Sequence, residues 1–391
     1  YAFNGCTNLQ LKETPANITK ISDIFFGFCM DLQPSELPAN IIRIRKAAFQ
    51  NCTNLKLTKL PNNVTEIGEL AFNGCTFLKL KELPKAITKI PERAFAKCLY
   101  LQLTKLPDGV TEIGEHAFDQ CKKLKLTELP KAITKIPDYA FRNCTKLKLT
   151  KLLDNVTEIG KHAFDRCTSL QLKELPKNIT KIPDAAFQGC SKLNLTKLPN
   201  GVTEIGIYAF NHCTNLKLTE LPNGITKISE AAFQFCPNLK LTKLPDNVTE
   251  IGKSAFICCK NLALTELPKN ITKIPFGAFA GCTELKLDKL PNNVTEIDNG
   301  AFNYCKNLAL TELPKNITKI PELAFQNCMK LKLTKLPDNV TEIGKSAFDG
   351  CTSLGLNELP DGVTEIGEAA FHNANIESID IPASVTKLGE R

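Results

Sequence analysis

Three residue types in this chain could do chemistry: seventeen cysteines, four histidines and a surplus of lysine that leaves the chain at net +8. A thiol can attack, pair or hold a metal, an imidazole can move protons, and an ammonium group can hold an anion. Spacing decides among these. Cysteine recurs every 23 residues from Cys6 and Cys29 to Cys328 and Cys351, so sixteen of the seventeen occupy a single position of a repeat. A thiol required at the same point of every unit reads as a small buried apolar group set by packing. No Cys-x-x-Cys pair is present to suggest a zinc site. Only Cys258, beside Cys259, falls off the row, and it is predicted to face solvent. His116, His162, His212 and His372 stand at no spacing to Asp and Ser or Cys that a catalytic motif uses, and no glycine-rich phosphate loop occurs. The reading is therefore no enzyme, no catalytic residues, no cofactor and no metal.

Lysine is the exception. Between the two leucines of each Leu-x-Leu, half of the repeats carry lysine: Lys56, Lys79, Lys125, Lys148, Lys217, Lys240, Lys286 and Lys332. The remaining members are Gln, Asn, Ala or Gly, and none is acidic. Stacked like charges cost stability, so a row that accepts lysine and excludes acid is a candidate site for an anionic ligand. A merely solvated face is the alternative. Aromatics outside the repeat positions, Phe28, Phe77, Tyr100, Phe235, Phe276 and Tyr304, vary between units. Phe77, Tyr100, Phe235 and Tyr304 are the candidate aromatic contacts.

The elements that must position these residues follow from the repeat. Phenylalanine recurs at Phe3, Phe26, Phe49 and onward to Phe371 at a spacing of 23, giving seventeen units in 391 residues. With 43% hydrophobic residues and no run of about 18 apolar ones, the chain is neither disordered nor membrane-spanning. One unit alone has too little apolar surface to fold, so neighbours must stack and bury the Phe, Cys, Leu and Ile rows as a continuous core. Leu78-Lys79-Leu80-Lys81 alternates as a half-buried strand does, Leu83-Pro84 opens a turn, and Ile87-Thr88-Lys89-Ile90 is a second extended piece. Glu92 to Lys97 is predicted to make one helical turn.

Consecutive units alternate in charge, giving a 46-residue superrepeat. One column runs Lys59, Glu82, Lys105, Glu128 and on to Glu358; a second runs Glu66, Lys89, Glu112, Lys135 and on to Glu342, breaking at Glu365. Each charge is expected to have its opposite above and below, which fixes the register of stacking. Asn-x-Thr recurs at Asn17, Asn51, Asn63, Asn143, Asn155, Asn178, Asn247, Asn270, Asn293, Asn316 and Asn339, where Asn suits the turn and Thr the strand after it. The expected domain organisation is one solenoid over 1–391, with irregular units over 1–48, regular units over 49–370 and a divergent terminal unit over 371–391. The irregularities include Thr14 where leucine is expected, Ile42 in place of threonine, and Ala374 in place of cysteine.

The run Ala117-Phe118-x-x-Cys121-x-x-Leu124, the Leu-Pro step and Val110-Thr111-Glu112-Ile113-Gly114 together resemble the BspA-like leucine-rich repeats of microbial surface proteins. The similarity extends over essentially the whole chain. What it implies is a leucine-rich repeat solenoid of the α/β class, about 17 coils of 23 residues, with short parallel strands on the concave face and short helical or 3-10 turns on the convex side. It also implies a cell-surface or secreted adhesion and recognition protein, its signal and anchor outside this chain. Its partner is then a protein or glycan, host extracellular matrix or another cell included, with no specific nucleic acid. The alternatives are an intracellular interaction scaffold and a polyanion binder working through the lysine row.

Overall fold

The computed structural model describes residues 2–11, 17–34 and 36–389; Thr14 lies outside them. Two compact units, Tyr1–Asn194 and Leu195–Arg391, are each a stack of 23-residue coils. Every described coil contributes one two-residue strand made of a charged residue and the buried aliphatic residue after it, such as β4 (Lys89–Ile90) and β5 (Glu112–Ile113), paired in parallel and in register. In the last strand the aliphatic residue, Leu388, is exposed instead. The core is built of rows that recur once per coil: Phe, Cys, the two leucines of Leu-x-Leu, and Ile or Val, nearly all fully buried. Successive phenylalanine rings lie almost parallel, with centroids 5.6 Å apart from Phe118 to Phe141 and from Phe141 to Phe164.

The strands do not form one continuous sheet, and the residue after each strand isoleucine accounts for the interruptions. Where that residue is glycine, its N–H donates to the isoleucine carbonyl of the coil before, as Gly114 does to Ile90 at 2.7 Å. Where it is proline there is no N–H to donate. Pro91 therefore separates β3 (Glu66–Ile67) from β4, Pro137 separates β5 from β6 (Lys135–Ile136), and Pro183 separates β7 (Glu158–Ile159) from β8 (Lys181–Ile182). Within the second unit, Pro275 and Pro321 break the ladder in the same way. Ser229 interrupts it differently, its hydroxyl taking the Ile205 carbonyl at 2.6 Å. Near the C-terminus Gly344, Gly367 and Gly389 all donate, and β14 (Lys319–Ile320), β15 (Glu342–Ile343), β16 (Glu365–Ile366) and β17 (Lys387–Leu388) form a four-stranded sheet.

Two sequence expectations need correction. The Leu-x-Leu segment is extended but is not a regular strand. It makes one well-formed interstrand bond per coil, such as Lys79 N–H to Leu57 O at 3.0 Å, and the ladder proper lies on the Ile segment instead. The expected helical turn around Ala-Phe is also absent among the described residues. Two positions of that arch are left-handed in coil after coil, for example Arg93 (φ 51) and Lys97 (φ 60), and a left-handed residue ends a right-handed helical run. Alternate amides leave the coil altogether: those of Leu70, Phe72 and Gly74 donate to the carbonyls of Glu92, Ala94 and Ala96 at 3.0, 2.9 and 2.8 Å. Such backbone costs about 1–2 kcal/mol per non-glycine residue, and these hydrogen bonds between coils offset it.

The Leu-Pro turn forms as expected, with Ile87 N–H closing on Pro84 O at 3.1 Å. Its asparagines act as a further ladder: Asn63, Asn247, Asn293 and Asn339 each donate Nδ2 to a carbonyl 24 residues earlier, at 3.1 to 3.2 Å. Asn155 donates twice, to Lys131 O and Ile133 O.

Candidate functional site

The thiols are structural. Fifteen of the seventeen are buried; Cys6 is exposed and Cys258 half-buried. Fourteen of the buried thiols point at the carbonyl of the phenylalanine one coil earlier, as Cys75 Sγ does to Phe49 O at 2.9 Å and Cys144 Sγ to Phe118 O at 3.1 Å. That same carbonyl accepts the N–H of its own coil's cysteine, Cys52 to Phe49 at 3.1 Å. Burial pushes the thiols far from ionisation, up to about 12 at Cys236 and Cys351, so they are poor nucleophiles.

Two of the histidines belong to a polar and aromatic column on the arch, while His212 stacks on Phe235 and His372 meets Asp349. His116, Tyr139 and His162 stack over three coils, with centroids 4.4 and 4.8 Å apart. Beside them Asp119, almost fully buried, holds Arg142 through two bonds of 2.8 and 2.7 Å, and the guanidinium lies 5.0 Å from the Tyr139 centroid. Asp165 is also buried, hydrogen-bonds His162 Nδ1 at 3.2 Å, and leaves Oδ1 without a hydrogen-bond partner. Burial raises the Asp165 pKa, and burial next to Arg93 lowers that of His116. Among the described residues no group of three or more His, Cys, Asp or Glu could hold a metal. Sequence reasoning missed this column; its signal was the alternation Asp119, Arg142, Asp165 one place after each phenylalanine.

Lysines differ by position in what they meet. Five on strands are neutralised by the glutamate of the next coil: Lys89 to Glu112 at 2.8 Å, Lys135 to Glu158 at 2.7 Å, Lys227 to Glu250 at 2.6 Å, and Lys273 to Glu296 and Lys319 to Glu342 at 2.7 Å; Lys387 pairs back to Glu365, and Lys20 faces Arg43. The expected pairing above and below each charge therefore holds on one side only, inside each pair of strands that share a sheet. In the other column, Lys59 and Glu36 form an ion pair at 2.8 Å, while Glu82, Lys105, Glu128 and Lys151 make none among the described residues. The candidate row behaves differently. Lys79, Lys125, Lys148, Lys217, Lys240, Lys286 and Lys332 are exposed and make no ion pair among the described residues. Lys56 reaches only the neutral Gln33 Oε1, at 3.3 Å.

The four candidate aromatics are not one site. Phe77 and Tyr100 share the lysine corner in the first unit and stack at 5.2 Å, 36% and 38% exposed. Phe235 and Tyr304 sit at left-handed positions of the arch in the second unit. Phe235 is half-buried against His212 at 4.5 Å, whereas Tyr304 is exposed.

Stacked 23-residue coils with parallel strands, a buried leucine framework and an asparagine-lined turn define a leucine-rich repeat solenoid. The model of the BspA type leucine rich repeat region matches residues 1–102, 76–194, 157–286 and 277–391, and the chain belongs to that family. Among solved structures it is similar to a leucine-rich repeat protein from Bacteroides ovatus, at 29% identity over 89% of this chain and 78% of the other, with a TM-score of 0.50. It is also similar to a leucine rich cell surface protein from Faecalibacterium prausnitzii, at 28% identity over 78% of this chain and 83% of the other, with a TM-score of 0.48. No curated protein matches it. Among the described residues no helix is long and apolar enough to cross a membrane.

Proposed function

We propose that the chain is a non-enzymatic recognition and adhesion protein, displayed on a cell surface or secreted, that binds a protein or glycan partner through the exposed corner carrying the Leu-x-Leu row. The observation that carries this reading is the contrast between two sets of lysines on one scaffold. Five strand lysines are engaged in ion pairs that hold coil to coil, while the corner lysines make no ion pair among the described residues. An ammonium that contributes nothing to the fold is available to a ligand, and an extended repeat surface multiplies such weak contacts. Family membership supports the same reading.

Protease shaving of intact source cells, with mass spectrometry of the released peptides and lysed cells as control, tests it. Peptides of this chain released from intact cells are the expected result. Release only after lysis overturns the surface reading in favour of an intracellular interaction scaffold.

A further inference from the structure

We propose that the corner of the first unit from Phe77 to Lys148 is a binding site for an acidic polysaccharide, a chain of carboxylate- or sulfate-bearing sugars lying along the stack. This rests on the surface-recognition reading and names the class of partner.

The corner is built by alternation. Leu78 and Leu80 are fully buried, so Phe77, Lys79 and Lys81 project from one exposed face. The backbone bonds Phe77 N–H to Thr53 O, Tyr100 N–H to Thr76 O and Lys123 N–H to Leu99 O, at 3.1, 3.2 and 3.2 Å, carry that face from coil to coil in register. Across four successive coils it presents the Phe77–Tyr100 stack and then the lysine pairs Lys123 with Lys125 and Lys146 with Lys148, all exposed. No carboxylate stands at the corresponding positions of these coils. Glu82 and Glu128 border the face but make no ion pair with these lysines. The lysine pairs of the two adjacent coils lie side by side and Lys79 stands two coils away, past Gln102, so the face carries ammonium groups of one sign only. The second unit lacks this arrangement: its equivalent positions include Ala263, Glu284, Asp288, Ala309 and Gly355.

Three features select the ligand. The cations are lysines, point charges without the planar fork that grips a single phosphate or carboxylate, which suits a polymer of repeated charge. The two rings cover each other's inner faces, which leaves each one face fewer for stacking a nucleic-acid base. What they offer is a ridge of ring edges ending in the Tyr100 hydroxyl, suited to a hydroxyl-rich chain with apolar C–H edges.

The test measures binding of the full chain to chondroitin sulfate oligosaccharides, with oligo(dT) and poly-glutamate as probes of other classes. One variant combines Lys123→Gln, Lys125→Gln, Lys146→Gln and Lys148→Gln; its counterpart combines Lys217→Gln, Lys240→Gln, Lys286→Gln and Lys332→Gln. All eight positions are exposed, and circular dichroism checks that both variants fold. The first variant should bind the oligosaccharide about tenfold more weakly and the second less than about twofold, while Phe77→Ala with Tyr100→Ala costs roughly fivefold. Equal losses in both lysine variants, or binding of oligo(dT) or poly-glutamate as tight as that of the oligosaccharide, overturn the proposal. So does failure to bind the oligosaccharide. A chain shaved from intact cells that fails to bind it leaves surface recognition standing and removes only the glycan; release after lysis alone removes the surface reading whatever the binding result.

Discussion

Gly114 sits where two coils come closest, and replacing it should invert the usual order of substitution costs. A Cβ built on Gly114 would lie 2.4 Å from the Glu92 amide nitrogen and 2.7 Å from the Pro91 carbonyl carbon, both backbone atoms with little freedom to retreat. Overpacking of this kind costs about 1–3 kcal/mol, offset by the roughly 0.4–1 kcal/mol that alanine gains over glycine through the unfolded chain. Gly114→Ala should therefore destabilise its neighbourhood by about 1–2 kcal/mol. Aspartate occupies the same position at Asp298, where Oδ2 accepts the Phe276 N–H at 3.2 Å and Oδ1 lies 3.0 Å from Lys273 Nζ. A charge-assisted bond of that sort is worth about 1.5–3 kcal/mol, so Gly114→Asp, with Glu92 N–H and Lys89 placed to receive it, should be nearly neutral despite the larger side chain. Hydrogen exchange read by mass spectrometry suits a repeat protein, whose unfolding need not be two-state. Peptides spanning 85–120 should lose protection in the alanine variant and keep it in the aspartate variant, with peptides around 298 unchanged in both. An aspartate variant less protected than the alanine one would refute the reasoning.

Phe141→Ala removes a fully buried ring that touches rings on both sides, and should cost about 3–5 kcal/mol, seen as deprotection centred on its own coil and fading with distance along the stack. Asp119→Ala leaves Arg142 without its two bonds and should cost about 1.5–3 kcal/mol, read in the same exchange experiment. Two titratable residues of that column, Asp165 and His116, pull in opposite directions with pH. Asp165 is raised in the folded chain, so its contribution is full below its unfolded pKa and is lost as pH climbs through the folded value; Asp165→Asn should flatten that slope. His116 is lowered, so its contribution is present above 6.5 and is lost as pH falls through its folded value; His116→Phe should remove the acid-side loss. Dithionitrobenzoate should titrate Cys6 and Cys258 quickly in the native chain and the remaining thiols only after denaturation; rapid reaction of many thiols would show that the cysteine row is not core.

The repeat made the core legible because each apolar row is stated many times over, and a position that is always Phe, Cys or Leu has little freedom to be anything but buried. The partition of charge was legible in part. The Lys89 and Glu112 columns announced ion pairs, yet their one-sided closure depends on backbone, on whether proline or glycine follows Ile90 and Ile113. That alternation was present in the letters and only the missing N–H gives it meaning. The helical expectation failed at the arch because Leu70, Arg93 and Lys97 carry no sign of left-handed backbone; the coil-to-coil hydrogen bonds impose it. The lysine row was visible as composition, but its separation from the neutralised strand lysines, and the convergence of Phe77 and Tyr100 beside it, required side chains in place.

The proline interruptions bear on how such an array can lengthen. Gene duplication that copies two coils at once preserves the order of glycine-type and proline-type units, and each lysine keeps the glutamate it meets. A single proline-type coil copied beside another would face it lysine to lysine across a joint without the strand-ladder bond, a join present nowhere among the described coils. A single glycine-type coil is a milder accident, and the chain records one: β15 lies beside β16 with Glu342 opposite Glu365, the sheet runs on through the junction, and Lys319 and Lys387 take up the two acids from either side. Lineages of this repeat should therefore differ in length mostly by even numbers of coils, with odd steps confined to places where two glycine-type units meet.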